Sequence, residues 1–171
     1  MRTATKLYLP LLLTFLTVLA IAQDDKKKMP SPPAKAEGKC GEATVTVDYH
    51  QPSAKGRKML GGINPYGEVW RTGANKTTTI TVSAPVKIEG QDLAAGTYAL
   101  FTIPGENEWA IIINKGIAWG AYSYKESEDV FRVKVKAGKT DSFVETFNIA
   151  VENNQVVLTW ENTKVAFSVK G

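Results

Sequence analysis

The 171-residue chain contains one cysteine, Cys40, and one histidine, His50. A single thiol excludes an intramolecular disulfide, so packing alone has to hold the fold together. Cys40 is expected at the domain edge, as a spare thiol or an intermolecular partner rather than a nucleophile. A single imidazole excludes every site built from two or more histidines and removes most routes to catalytic zinc or copper. No metal and no cofactor is expected. The sequence also lacks a G-x-S-x-G elbow, and Ser53, three residues from His50, reads as part of the turn Gln51-Pro52-Ser53. His50 is expected to end a strand and to meet solvent or a loop carbonyl. Neither the Walker pattern nor the dinucleotide fingerprint occurs, and no window holds a sustained helical period.

The longest apolar run, Leu7 to Ala22, follows Arg2 and Lys6 and closes on Ala20-Ile21-Ala22. That order of basic, apolar and small residues is the pattern of a secretory signal peptide, and the run is short for a membrane span. Residues 1–22 are therefore read as a signal peptide, with no transmembrane segment in the mature chain. Export to the periplasm or the exterior is expected. No cysteine stands at the end of the run, which disfavours a lipid anchor. Residues 23–38, QDDKKKMPSPPAKAEG, have prolines and charges but almost no large apolar groups, and are read as a disordered tether. Residues 39–171 are read as one domain. Without the signal peptide, 19 basic residues stand against 17 acidic ones, and no continuous basic stripe remains. Nucleic acid is not an expected partner.

What is present is period two. Apolar residues alternate through Val45, Val47 and Tyr49; Ile80 and Val82; Val86 and Ile88; Phe131, Val133 and Val135; Phe147, Ile149 and Val151; Val156, Leu158 and Trp160; and Val165, Phe167 and Val169. That is the signature of strands with one buried face. Two further runs, Tyr98 to Ile103 and Trp109 to Ile113, are apolar on both faces. They are expected to be central strands covered on one side by an opposing sheet and on the other by loops. Pro104-Gly105-Glu106-Asn107, Asn153-Asn154 and Glu161-Asn162-Thr163 read as the turns between successive strands. Gly90 to Gly96 reads as a longer connection, and Ser123 to Asp129 as a short helical turn. About nine short strands predict an all-β, single-domain antiparallel β-sandwich.

The segment Tyr49 to Thr79 departs from that pattern, combining glycines with basic and aromatic side chains. Lys55 and Arg57 lie shortly before Gly61-Gly62, where backbone amides and a guanidinium group are able to converge on an anion. Trp70, Arg71 and Asn75 supply an aromatic face, a planar donor fork and an amide, which suit a carboxylate or a sugar. Tyr66, Trp119 and Tyr122 are candidates for additional aromatic walls. The alternative at each position is structural: the arginines pair with Glu68 or loop carbonyls, Trp70 anchors the core, and Trp119 and Tyr122 cap a sheet edge. The acidic groups Glu106 and Glu108, and Glu126, Glu128 and Asp129, read as solvated faces, although two carboxyls at suitable separation would serve a hydrolase. Asn75-Lys76-Thr77 matches the N-glycosylation acceptor pattern.

Three blocks carry a resemblance: Lys55 to Thr81, Leu93 to Lys115, and WGAYSYKESEDVFRVKVK from Trp119 to Lys136. Together they resemble the domain family of unknown function DUF2911, largely exported bacterial proteins, many from Bacteroidetes. The resemblance covers nearly the whole expected domain and implies an exported sandwich-like fold, with no established activity and no catalytic residues to transfer. The leading expectation is a non-catalytic binding module for a small anionic or sugar-like ligand or an envelope protein. A structural or interaction protein without a small-molecule site, and a metal-independent carboxylate hydrolase, are the alternatives.

Overall fold

A computed structural model describes residues 30–118 and 124–171. The expected signal peptide, residues 23–29 of the expected tether, and the candidate residues Trp119 and Tyr122 lie outside the described residues.

Among the described residues, nine antiparallel strands make up the domain: β1 (Pro33–Cys40), β2 (Ala43–His50), β3 (Thr79–Val82), β4 (Val86–Ile88), β5 (Gln91–Leu93), β6 (Gly96–Ile103), β7 (Glu108–Asn114), β8 (Asp129–Glu152) and β9 (Gln155–Lys170). They form one open hydrogen-bonded order, β1-β2-β3-β6-β7-β8-β9-β4-β5. The first part of β8 pairs with β7 and the remainder pairs with β9, so the long strand carries the chain from one layer to the other. The layers close on a shared core in which Val45, Val47, Ile80 and Ile111 meet Phe147, Ile149, Leu158, Trp160 and Phe167. The all-β, antiparallel, single-domain expectation holds.

The strands themselves differ from the expected set in four places. The apolar runs around Phe131 and Phe147 are one 24-residue strand, β8, and those around Val156 and Val165 are one 16-residue strand, β9. Glu161-Asn162-Thr163 does not end a strand. Glu161 takes φ 52° within β9 as the β8 register shifts between Lys139, Val144 and Asn148, so the irregularity bends a ladder that continues on both sides. Glu89-Gly90, at φ 46° and 85°, makes a two-residue turn that leaves room for β5 inside the expected long connection.

The fourth difference moves the domain boundary. Residues 33–38, expected in the tether, lie in β1 and pair with β2 from Pro33↔His50 to Cys40↔Ala43. Their buried surface is made from small groups. A Cβ on Gly38 would stand 2.4 Å from the carbonyl oxygen of Val151, so its absence lets β1 approach β8 closely. Cys40 is fully buried, not at an exposed edge, and burial pushes its thiol pKa up.

β6 and β7 are apolar on both faces for the expected reason. Leu100, Ile111 and Ile113 join the main core, while Ala99, Phe101 and Ile112 form a second cluster with Val69, Ile103 and Tyr124. Their outer cover includes Val69 from the β2–β3 connection and Tyr124, whose ring meets Phe101 edge-on at 5.0 Å. The expected turn before β8 is a single 3-10 turn, Glu126–Glu128.

Candidate functional site

The connection between β2 and β3, residues 51–78, contains no named strand, yet it is tied down at both ends and along its length. Phe147 donates its backbone N–H to the Pro52 carbonyl at 2.9 Å, and Ala54 N–H donates to the Glu145 carbonyl at 2.9 Å. The Glu161 carboxylate accepts the backbone N–H groups of Met59 and Leu60, both at 2.9 Å. Trp70 and Thr102 exchange backbone hydrogen bonds at 2.7 and 2.9 Å, while Leu100 N–H donates to the Thr78 carbonyl. The connection thus occupies the flank of β6 beyond the end of β3.

Trp70 is a core residue. Its ring stacks on Trp160 at 5.5 Å and meets Phe147 and Trp109 edge-on at 5.0 and 6.1 Å. Its indole N–H donates to the Gly73 carbonyl at 3.0 Å. Arg57 is also occupied locally: Nε donates to the Ala54 carbonyl and Nη2 to the Ser53 carbonyl, each at 3.0 Å. Lys55 is exposed, at φ 50°, and its backbone N–H donates to the Glu145 carboxylate at 2.6 Å. Both residues hold the start of the connection, and neither lines a depression with Arg71.

Arg71 is placed differently. It is half-buried, its Nη1 donates to the Asn75 carbonyl at 2.9 Å, and no carboxylate of the described residues lies within ion-pair distance. Glu68, the partner expected from sequence, does not pair with it. Two depressions of about 470 and 260 Å³ share Ile63, Asn64, Trp70 and Arg71 in their linings. Asn75 lines the larger one and is held at φ 58° while its Nδ2 donates to the Ser31 carbonyl at 3.0 Å. The structure therefore brings Trp70, Arg71 and Asn75 together. Tyr66 instead lines a separate surface depression with Leu60, Phe143 and Glu161, and its phenol is pushed up by burial and by the nearby charges of Glu106 and Glu161.

The backbone between Arg71 and Asn75 is strained. Thr72 is fully buried and sits at φ 55°, a region that β-branched residues rarely enter. It is over-determined there: its Oγ1 lies 3.1 Å from Thr102 Oγ1, and its carbonyl accepts the Thr78 hydroxyl at 2.8 Å. Gly73 leaves no room for a side chain, since a Cβ would stand 2.9 Å from Thr78 Oγ1 and 3.0 Å from the His50 carbonyl. Sequence reasoning passed over Thr72 and Asn64. The Thr-Gly pair beside Arg71 was the one available signal, because glycine flanked by small polar residues marks unusual backbone.

Four of the five candidate acidic groups are engaged, and Glu106 makes no ion pair among the described residues. Glu108 pairs with Lys134 at 2.9 Å, Glu128 with Lys125 at 3.3 Å, and Arg132 bridges Glu126 at 3.2 Å and Asp129 at 2.5 Å. Among the described residues, no three of His, Cys, Asp and Glu converge in a way that would hold a metal ion. Nor is any helix of the described residues long and apolar enough to cross a membrane.

A family model described as "Protein of unknown function (DUF2911)" matches residues 31–169. The chain belongs to the DUF2911 family. The match begins two residues before β1 and ends one residue before the last residue of β9, so the family unit is the whole nine-stranded domain, including the strand expected to be tether. No curated protein and no solved structure matches the chain.

Proposed function

We propose that this DUF2911 domain is an exported, non-catalytic binding module whose ligand is a small carboxylate or sugar acid seated against Arg71. The observation that carries the reading is the Arg71 guanidinium: half-buried, held by one backbone carbonyl, unpaired with any carboxylate of the described residues and facing cavities on either flank. A planar fork with free donors reads two oxygens at once, which a carboxylate offers. Asn64 and Asn75 add polar edges and Ile63 an apolar one. The strain at Thr72 supports the same reading, because costly backbone geometry is retained where it fixes a functional side chain. Export follows from the basic, apolar and small-residue order of residues 1–22, and it places the ligand in the periplasm or outside the cell.

A purely structural role is favoured by specific observations at Arg57 and Trp70, whose hydrogen-bonding and ring contacts lie within the protein. It accounts less well for Arg71. The carboxylate-hydrolase alternative has its acids at Glu108, Glu126, Glu128 and Asp129 in ion pairs.

The test is a thermal-shift screen of residues 30–171 against organic acids, sugar acids and neutral sugars, repeated on Arg71→Ala and Arg57→Ala. A ligand specific to the native state raises Tm by mass action. A shift abolished by Arg71→Ala and kept by Arg57→Ala is expected. A flat screen, or a shift that survives Arg71→Ala, would refute the site.

A further inference from the structure

We propose that the ligand of the Arg71 site is an aromatic carboxylate, with its ring in the larger of the two depressions and its carboxylate on the guanidinium. This rests on the reading of Arg71 given above and names the chemistry that the site selects.

The two flanks of Arg71 differ in charge. Glu68 lines the smaller depression, of about 260 Å³, so an anion entering there meets a negative group. No acid lines the larger one, of about 470 Å³, which falls within the range of roughly 300–1,000 Å³ that ligand pockets occupy. Glu161 touches its wall at Met59, but both carboxylate oxygens are taken by the backbone N–H groups of Met59 and Leu60. Arg71 is itself held toward this flank, because its Nη1 donates to the carbonyl of Asn75, which lines the larger depression and not the smaller. The carboxylate of the ligand therefore reaches the guanidinium from the larger side.

The walls on that side decide the body of the ligand. The stacked pair Trp70 and Trp160 lines the depression together with Met59, and Ile63 stands beside them 54% exposed, a large aliphatic group left mostly in water. The donors that a hydroxylated ligand would need are already spent. The indole N–H of Trp70 goes to the Gly73 carbonyl at 3.0 Å and that of Trp160 to the Glu145 carbonyl at 3.3 Å, while Asn75 Nδ2 goes to the Ser31 carbonyl. A sugar acid presents a hydroxyl on nearly every carbon, and each hydroxyl that leaves water without a partner weakens binding. A flat ring carries no such groups, and its face or edge suits an indole. The same wall thus favours an aromatic acid and discriminates against a sugar acid.

The test is an NMR titration of residues 30–171 with phenylacetate, acetate, glucuronate and the uncharged phenylacetamide. Phenylacetate is expected to shift the Arg71 Nε–H signal and the indole N–H signals of Trp70 and Trp160 together and saturably. It should bind about tenfold more tightly than acetate or phenylacetamide, and more tightly than glucuronate. Ala74→Leu and Ala74→Met narrow only the larger depression, and each should weaken phenylacetate by a similar factor. Dispersed amide signals report folding of each variant, and the indole shifts decide the matter without either. Glycylglycylphenylalanine separates two sources of the same chemistry: binding as tight as that of phenylacetate assigns it to the end of a protein chain, and weaker binding to a free small acid. Three results would overturn the aromatic assignment and leave the Arg71 reading in place: Arg71-dependent binding of glucuronate as tight as that of phenylacetate, phenylacetate binding that leaves both indole signals unmoved, or binding unchanged in a folded Ala74 variant. Binding by none of the acids would overturn both.

Discussion

The indole of Trp70 lies nearly parallel to that of Trp160, with ring centroids 5.5 Å apart and planes 18° apart. One ring comes from an irregular connection and the other from β9, so this contact, with Phe147 beside both, anchors the segment carrying Arg71 to the core. Arg71 is the next residue along the chain, and its position follows from that anchor.

Trp70→Ala removes a large buried ring and leaves a cavity, at a cost of about 3–5 kcal/mol. Urea denaturation at two probe wavelengths checks this, and Trp70→Phe should recover part of the loss. A cost below about 1 kcal/mol would mean that the connection is not anchored through this ring.

Arg71→Ala should leave the fold nearly unchanged, within about 1 kcal/mol, because the side chain gives up one hydrogen bond to a backbone carbonyl. Differential scanning calorimetry of the unliganded variant is the measurement. A large drop in Tm would reassign Arg71 to holding the loop.

Glu161→Ala leaves the backbone N–H groups of Met59 and Leu60 without their carboxylate acceptor. The expected cost is about 1–3 kcal/mol, with faster amide exchange concentrated at Met59 and Leu60. Exchange unchanged at those two amides would show that the clamp contributes little.

The domain begins at β1, so a chain starting at Gly41 loses the pairing of Pro33–Cys40 with β2 and uncovers Val45 and Val47. It should be markedly less stable than residues 30–171, or unfolded, by circular dichroism. Equal melting of the two would return residues 33–38 to the tether.

His50 has a folded-state pKa below its unfolded value, so the unfolded chain binds the proton more readily. The stability linked to neutral His50 is fully present above the unfolded value of 6.5 and falls as the pH drops through the folded pKa. His50→Gln should flatten the stability profile just below the unfolded value of 6.5, above the range where most carboxylates titrate. Identical pH profiles for the two proteins would contradict the shift.

The sequence by itself determined the kind of fold and much of its local geometry. Alternation through Val45-Val47-Tyr49 and Val165-Phe167-Val169 marks a buried face whatever the partner strand. The double-faced runs at β6 and β7 require two covers, and both are present. Asn153 and Asn154, at φ 51° and 56°, make the turn their residue types favour. The tertiary structure decided the rest, because each remaining question concerns a partner distant in sequence. Whether Glu161-Asn162-Thr163 ends a strand depends on whether β8 continues to pair beyond it, and it does. Whether Ala36 and Gly38 join the domain depends on the close approach of β8, which small residues permit and do not announce. Arg57 and Arg71 are alike in sequence. One folds back on the carbonyls of Ser53 and Ala54, while the other stands between two cavities, because only the second follows a tryptophan fixed against Trp160.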